Sequence, residues 1–235
     1  MSDEGIGRRE GVLRGEKEER EPGMPSGPSY LVLCPSYFLM EPVAAITTYD
    51  HPATAGADRS EAWMDGMTYA QFLRTAKEYV ELWRGNYDRA AIPADVAARV
   101  RALPGAWHLL VLSADWCIDA TSPIPTLARL ADDAPNLSLR VLDRDEHLDL
   151  MDEHLTGGTA RSIPIVILLD DELGERAWWG PRPGPLQTWF KGEAQALESG
   201  ERYRQSRQWF ARDRGRTTLE EVVGMIERAA APPAG

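Results

Sequence analysis

The feature that most constrains this chain is the run Trp107–Ser113, which ends four residues before the cysteine of Trp116-Cys117-Ile118-Asp119-Ala120. A run this apolar and rich in Leu and Val suits a strand buried on both faces of a sheet. The spacing predicts a helix from residue 117 to about 133. Residues 137–143 alternate like a second strand, and 146–155 form a short helix crossing back. Residues 163–169 make a third strand, joined by a turn at 170–174 to a fourth over 175–179. A helix over 217–229 closes the chain, with Thr217 and Glu220 as capping box and Leu219, Val222, Val223 and Ile226 inward. Strand, helix, strand, helix, strand, strand, helix is the order of an α/β fold with a mixed central sheet flanked by helices.

Upstream, Tyr69, Phe72, Leu73, Ala76, Val80 and Trp83 share one helical face, which predicts a helix over 68–84. Thr68 and Gln71 supply its capping box, and Gly85 is placed to stop it. A second helix is expected over 93–103, with Pro93 in its first turn and Val96, Val100 and Leu103 inward. These two helices form an N-terminal helical extension of a domain over 67–235. Residues 1–28 are charged and rich in Gly and Pro, and read as a disordered tail. Residues 29–66 read as a poorly defined extension, with Met64 or Met67 a candidate native start.

The chain carries 26 basic and 37 acidic side chains, a net charge of -11. With no basic patch expected to offset it, that balance disfavours nucleic acid and anionic membranes as partners. No run of about 18 apolar residues is present to span a bilayer. Cys34 and Cys117 lie too far apart for a two-cysteine metal motif, so neither a disulfide framework nor a metal site is expected. Sparse thiols without a secretory signal fit a reducing cytoplasm.

Cys117 follows a buried strand and opens the expected helix, where free backbone N–H groups and the helix dipole favour a thiolate. Ser113-Ala114-Asp115-Trp116-Cys117 resembles the first half of the thioredoxin active site. Pro125 falls where that family kinks its active-site helix, and Ile163-Pro164 matches its cis-proline turn. A closer resemblance is to a bacterial thioredoxin-like branch with Trp-Cys-Gly-Asp-Cys or Trp-Cys-Gly-Asp-Ala. That branch also shows a Gly-x-x-Ser-Ile-Pro turn, one residue longer here over 158–164, and the segment Trp179-Gly180-Pro181-Arg182-Pro183. The resemblance implies a thioredoxin-like fold, Cys117 as nucleophile, and Ile163 and Pro164 as a groove that pairs with a substrate backbone. Trp116 would form an apolar wall of that groove.

This sequence has Ala120 where a dithiol enzyme has its resolving cysteine, and Ile118 where the branch has glycine. A mixed disulfide at Cys117 therefore has no partner within the motif. Three outcomes stay open: resolution by glutathione or another external thiol, resolution by Cys34, or a redox-inactive module that keeps the peptide groove. The first is the preferred expectation, with protein or small-molecule disulfides as substrates and no cofactor beyond the reducing thiol. A glutathione-assisted iron–sulfur carrier is a further reading, although no recognisable glutathione site accompanies it.

Asp119 either serves the helix dipole or relays a proton to the thiolate, and with Asp115 it should oppose thiolate formation. Arg182 is expected near Pro164 and Cys117, either stabilising the thiolate or holding a substrate carboxylate, or else as a solvated loop residue. Trp178, Trp179 and Trp189 read as packing, His147 and His154 as a solvated polar face, and His108 as a strand residue outside any hydrolase setting.

Overall fold

In the computed structural model the described residues are 48–49 and 54–232. The chain divides into a unit over Met1–Val43, outside the described residues, and a unit over Ala44–Gly235 that holds all of them. The expected tail over 1–28 and Cys34 therefore lie outside the described residues.

A six-stranded mixed sheet carries the fold. In chain order its strands are β1 Thr48–Tyr49, β2 Met67–Thr68, β3 Trp107–Ser113, β4 Leu137–Asp143, β5 Ile165–Leu169 and β6 Glu175–Trp179. They lie side by side as β1-β6-β5-β3-β4-β2, with β3 and β4 parallel and every other pair antiparallel. The apolar runs explain the centre. Leu109 to Leu112 of β3 and all five residues of β5 are fully buried, so both faces of these strands are covered.

The helices are α1 Ser60–Asp65, α2 Tyr69–Thr75, α3 Val80–Arg89, α4 Ala94–Arg101, α5 Pro123–Asp133, α6 Leu148–Asp152, α7 Gly184–Lys191, α8 Ser199–Asp213 and α9 Arg216–Ala230. A 3-10 helix, Glu193–Ala196, joins α7 to α8. α5 packs on β4 and α3, and α9 packs on β6 and α4 through Leu219, Val222, Val223 and Ile226.

Several elements differ from expectation for identifiable reasons. The single helix over 68–84 is two. Asp115 Oδ2 accepts hydrogen bonds from the backbone N–H groups of Lys77 and Glu78 at 2.7 and 3.2 Å, taking these donors out of the helical ladder. Tyr79 then turns with a positive φ of 50°, and α3 runs through Gly85 instead of stopping there. The crossing helix expected over 146–155 is only Leu148–Asp152. α9 opens on Gly215 with no side-chain cap. Its expected Thr217 cap instead donates its own N–H and hydroxyl to Asp213. α7, the 3-10 helix and α8 were not anticipated.

The extension expected over 29–66 contributes β1 and α1 to the sheet and its cover. Arg59 anchors it. Its Nε donates to Glu175 Oε2 at 2.7 Å and its Nη2 to Glu153 Oε2 at 2.5 Å, while His154 Nε2 lies 2.9 Å from Glu175 Oε1. Backbone bonds from Gly56 to the Glu175 carbonyl and from Arg59 to the Leu173 carbonyl dock the same segment on the β5–β6 turn. Removal of residues before Met64 or Met67 would strip the fully buried Glu175 of its guanidinium.

Candidate functional site

The site is built where β3 ends. The predicted helix from Cys117 begins only at Pro123. Residues between are held in tight turns, with Cys117 N–H donating to Ala114 O and Ala120 N–H to Cys117 O, each at 3.1 Å. Ser122 precedes a first turn containing Pro123 and Pro125, positions where a missing N–H costs no helical hydrogen bond. Pro125 thus lies at the start of α5, upstream of any place where it would kink a helix.

Cys117 is 8% exposed, and its thiol lies 3.5 Å from the Ile163 carbonyl that accepts from it. Burial is the main cause that pushes this thiol up to about 11, and the Asp119 carboxylate adds to it. The backbone N–H groups of Ala120 and Asp119 and the charge of Arg182 pull the other way and are outweighed. The expected thiolate at a helix N-terminus is therefore corrected: the free protein holds a protonated thiol at neutral pH, because the sulfur sits in the turn before the helix and largely out of water.

Facing it, the Ile163–Pro164 and Gly180–Pro181 peptides are both cis. Gly180, at φ +142°, brings the end of β6 onto this turn so closely that a Cβ there would stand 2.3 Å from the Pro164 carbonyl oxygen. That approach carries Arg182 into the site. Its Nε donates to Asp119 Oδ2 at 2.9 Å, with Nη2 on the same oxygen, and Nη1 reaches Gln187 Oε1 at 3.1 Å. The guanidinium also lies 3.6 Å from the Phe190 ring centroid. Ser206 Oγ donates to Asp119 Oδ1 at 3.1 Å. Arg182 is therefore not a solvated loop residue: the Asp119 carboxylate takes its guanidinium, whose charge still favours the Cys117 thiolate.

Trp116 is 46% exposed beside the cysteine, with the Arg144 guanidinium 5.0 Å from its ring centroid. Together with Tyr79, Ser162 and Ile163 it walls an open groove of about 450 Å³ over Cys117. Asp115 faces away from the groove into the α2–α3 junction, and its carbonyl accepts from Trp83 Nε1 at 3.0 Å. Ala120 is fully buried.

Other sequence candidates fall elsewhere. His154 is fully buried on Glu175 and the Leu150 carbonyl, which corrects its reading as part of a solvated face. His147 is half-buried against the Asp143 carbonyl, and burial holds His108, bonded to Ser138, below the usual histidine range. Trp178 and Trp179 lie in the core, and Trp179 Nε1 donates to Glu221. Among the described residues no group of three or more His, Cys, Asp or Glu stands where it could hold a metal ion, and no helix is long and apolar enough to cross a membrane.

Sequence reasoning missed Ser206, Gln187, Phe190, Tyr79 and three arginines of the groove, Arg144, Arg161 and Arg207. A signal was present: residues 202–216 hold six arginines against one aspartate, Asp213. The expectation of no basic patch is corrected accordingly.

The sequence matches the family described as Thioredoxin over residues 66–198, more than half of the chain. No curated protein matches it. Two crystal structures are similar. One is a protein of unknown function from Pseudomonas aeruginosa, 23% identical, covering 74% of this chain and 99% of that one with a TM-score of 0.57. The other is an HIV epitope-scaffold, 20% identical, covering 74% of this chain and 100% of that one, also with a TM-score of 0.57. At these identities the likeness is one of fold.

Proposed function

This chain belongs to the thioredoxin family, and we propose that it is a thiol-disulfide oxidoreductase working through Cys117 alone, with an external thiol such as glutathione closing the cycle. The observation that carries this reading is the groove: the one sulfur of the motif lies on its floor beside the Ile163-Pro164 turn, within reach of an extended substrate. Substrates are protein or small-molecule disulfides, and no cofactor beyond the reducing thiol takes part. A reducing compartment such as the cytoplasm supplies that thiol.

The fraction of Cys117 that has given its proton to water is the nucleophile, and this thiolate attacks one substrate sulfur. The substrate S–S bond breaks, a new bond joins that sulfur to Cys117 Sγ, and the other half leaves as a thiolate that takes up a proton. An external thiolate then attacks the outer sulfur of the mixed disulfide. Cys117 departs as thiolate and is reprotonated, so the external thiol is oxidised and the substrate disulfide reduced. Trp116 and Ile163 wall the groove during these steps, and Pro164 shapes its backbone edge. Asp119 and Arg182, paired with each other, set the local charge around the sulfur.

The buried, protonated thiol and the alanine at position 120 favour a second reading, a redox-inactive module that holds an extended peptide in the same groove. Reduced protein treated with glutathione disulfide separates the two. With Cys34→Ser as the background, the oxidoreductase gains one glutathione by mass, none once Cys117→Ser is added, and loses it to free glutathione. An unmodified Cys117 after prolonged treatment would leave only the binding module.

A further inference from the structure

The groove over Cys117 is rimmed by guanidinium groups although the chain as a whole carries a charge of -11. Arg144, Arg161, Arg182 and Arg207 all line the groove. Three of them are engaged: Arg144 by Asp145, Arg161 by Asp152 and Arg182 by Asp119. Arg207, exposed on α8, has no acidic partner among the described residues.

Arg207 also lines a second, larger cavity of about 1240 Å³ between the α3–α4 and α8–α9 elements. Arg89, Arg212, Arg214 and Arg216 face the same space. Its acidic members are committed or few: Asp213 caps Thr217, Glu220 pairs with Arg99, and Asp95 remains. Arg212, Arg214 and Arg216 are exposed and, like Arg207, have no ion-pair partner among the described residues. One side chain thus joins the groove over the sulfur to a cavity rich in unpaired guanidinium.

We propose that the segment bound over Cys117 is an acidic, extended polypeptide, whose chain leaves the groove past Arg207 and is held in the arginine-lined cavity. The proposal rests on the oxidoreductase reading for what happens at the sulfur, while the binding preference stands apart from it. A compact anion would fill one end of this path only. An extended chain with several carboxylates meets Arg207 and the cavity arginines in succession, and each carboxylate can take a guanidinium in a bidentate pair. The net negative charge of the protein does not forbid this, because at physiological ionic strength charges beyond a Debye length of about 8 Å are screened and the nearest guanidinium groups dominate.

The test uses the full chain with Cys117→Ser, so that binding is read without chemistry. Three fluorescent peptides share one extended sequence, with a central cysteine flanked by aspartates, serines or lysines. Anisotropy titrations should rank aspartate over serine over lysine, with the aspartate peptide bound about tenfold more tightly than the lysine peptide and the gap closing as salt rises. Adding Arg207→Glu and Arg216→Glu, both on exposed side chains, should erase or invert the ranking.

Equal binding of the three peptides, or a ranking untouched by the two reversals, overturns the proposal. So does displacement of the aspartate peptide by a short oligonucleotide at lower concentration than by unlabelled peptide, which would assign the arginines to nucleic acid. If the wild-type thiol fails to form a mixed disulfide with the serine peptide supplied as its disulfide-linked dimer, from which the second peptide would leave as a thiol, while the ranking holds, the redox reading falls and the acidic-segment proposal stands.

Discussion

At the scale of single residues, the chemistry turns on how Asp119 and Arg182 divide their charge around Cys117. Burial holds the thiol up, Asp119 adds to it, and Arg182, paired with that carboxylate, offsets part of the rise. Asp119→Asn keeps the shape of the contact with Arg182 and removes the negative charge. The thiol should then titrate below about 11, and alkylation of Cys117 at neutral pH should speed by roughly tenfold. Measured alkylation rates against pH check this, and an unchanged profile would show that burial alone sets the thiol. The sequence made Arg182 legible as a neighbour of the cysteine because Pro164 and the end of β6 bring the loops together. It did not reveal that Asp119 would claim the guanidinium, since Ser206, Gln187 and Phe190, which complete that contact, lie on helices with no local signature.

At the scale of elements, the strands were readable and several helices were not. β3 and β5 are so apolar because both of their faces are buried, which leaves an unmistakable run in the sequence. α8 buries only Ser206 and Phe210 among its fifteen residues, so it carries no apolar stripe to read. The break between α2 and α3 was invisible for another reason. The group that takes the backbone donors, Asp115, is 38 positions away from Lys77. The junction of β6 with the Pro164 turn gives a direct test of element packing. Gly180→Ala would drive a methyl group into the Pro164 carbonyl, so it should cost at least about 2 kcal/mol in urea denaturation. A variant as stable as wild type would show that the two loops have room to part.

At the scale of the whole molecule, Arg59 ties residues 54–65 to the start of β6 and to Glu153 after α6. Arg59→Ala leaves Glu175 buried without its guanidinium and should cost about 3 to 5 kcal/mol, read from urea denaturation at neutral pH. Glu175 is held below the usual carboxylate range by His154 and Arg59 against the cost of burial. A carboxyl lowered in the folded state adds stability above its unfolded value and loses it as the pH falls through the folded one. The wild type should accordingly lose stability on acidification below the ordinary carboxylate range, and Glu175→Gln should flatten that loss.

The distance along the chain between Arg59 and Glu175, 116 residues, has a consequence for time as well as for stability. A contact that closes so long a loop gains least from being made early, because the entropy of closure comes due before the rest of the sheet rewards it. The clasp should therefore shut after the rate-limiting step of folding. Breaking it in Arg59→Ala should speed unfolding by the whole of the lost stability and leave the refolding rate as it was, so that one arm of a chevron plot shifts and the other stays in place.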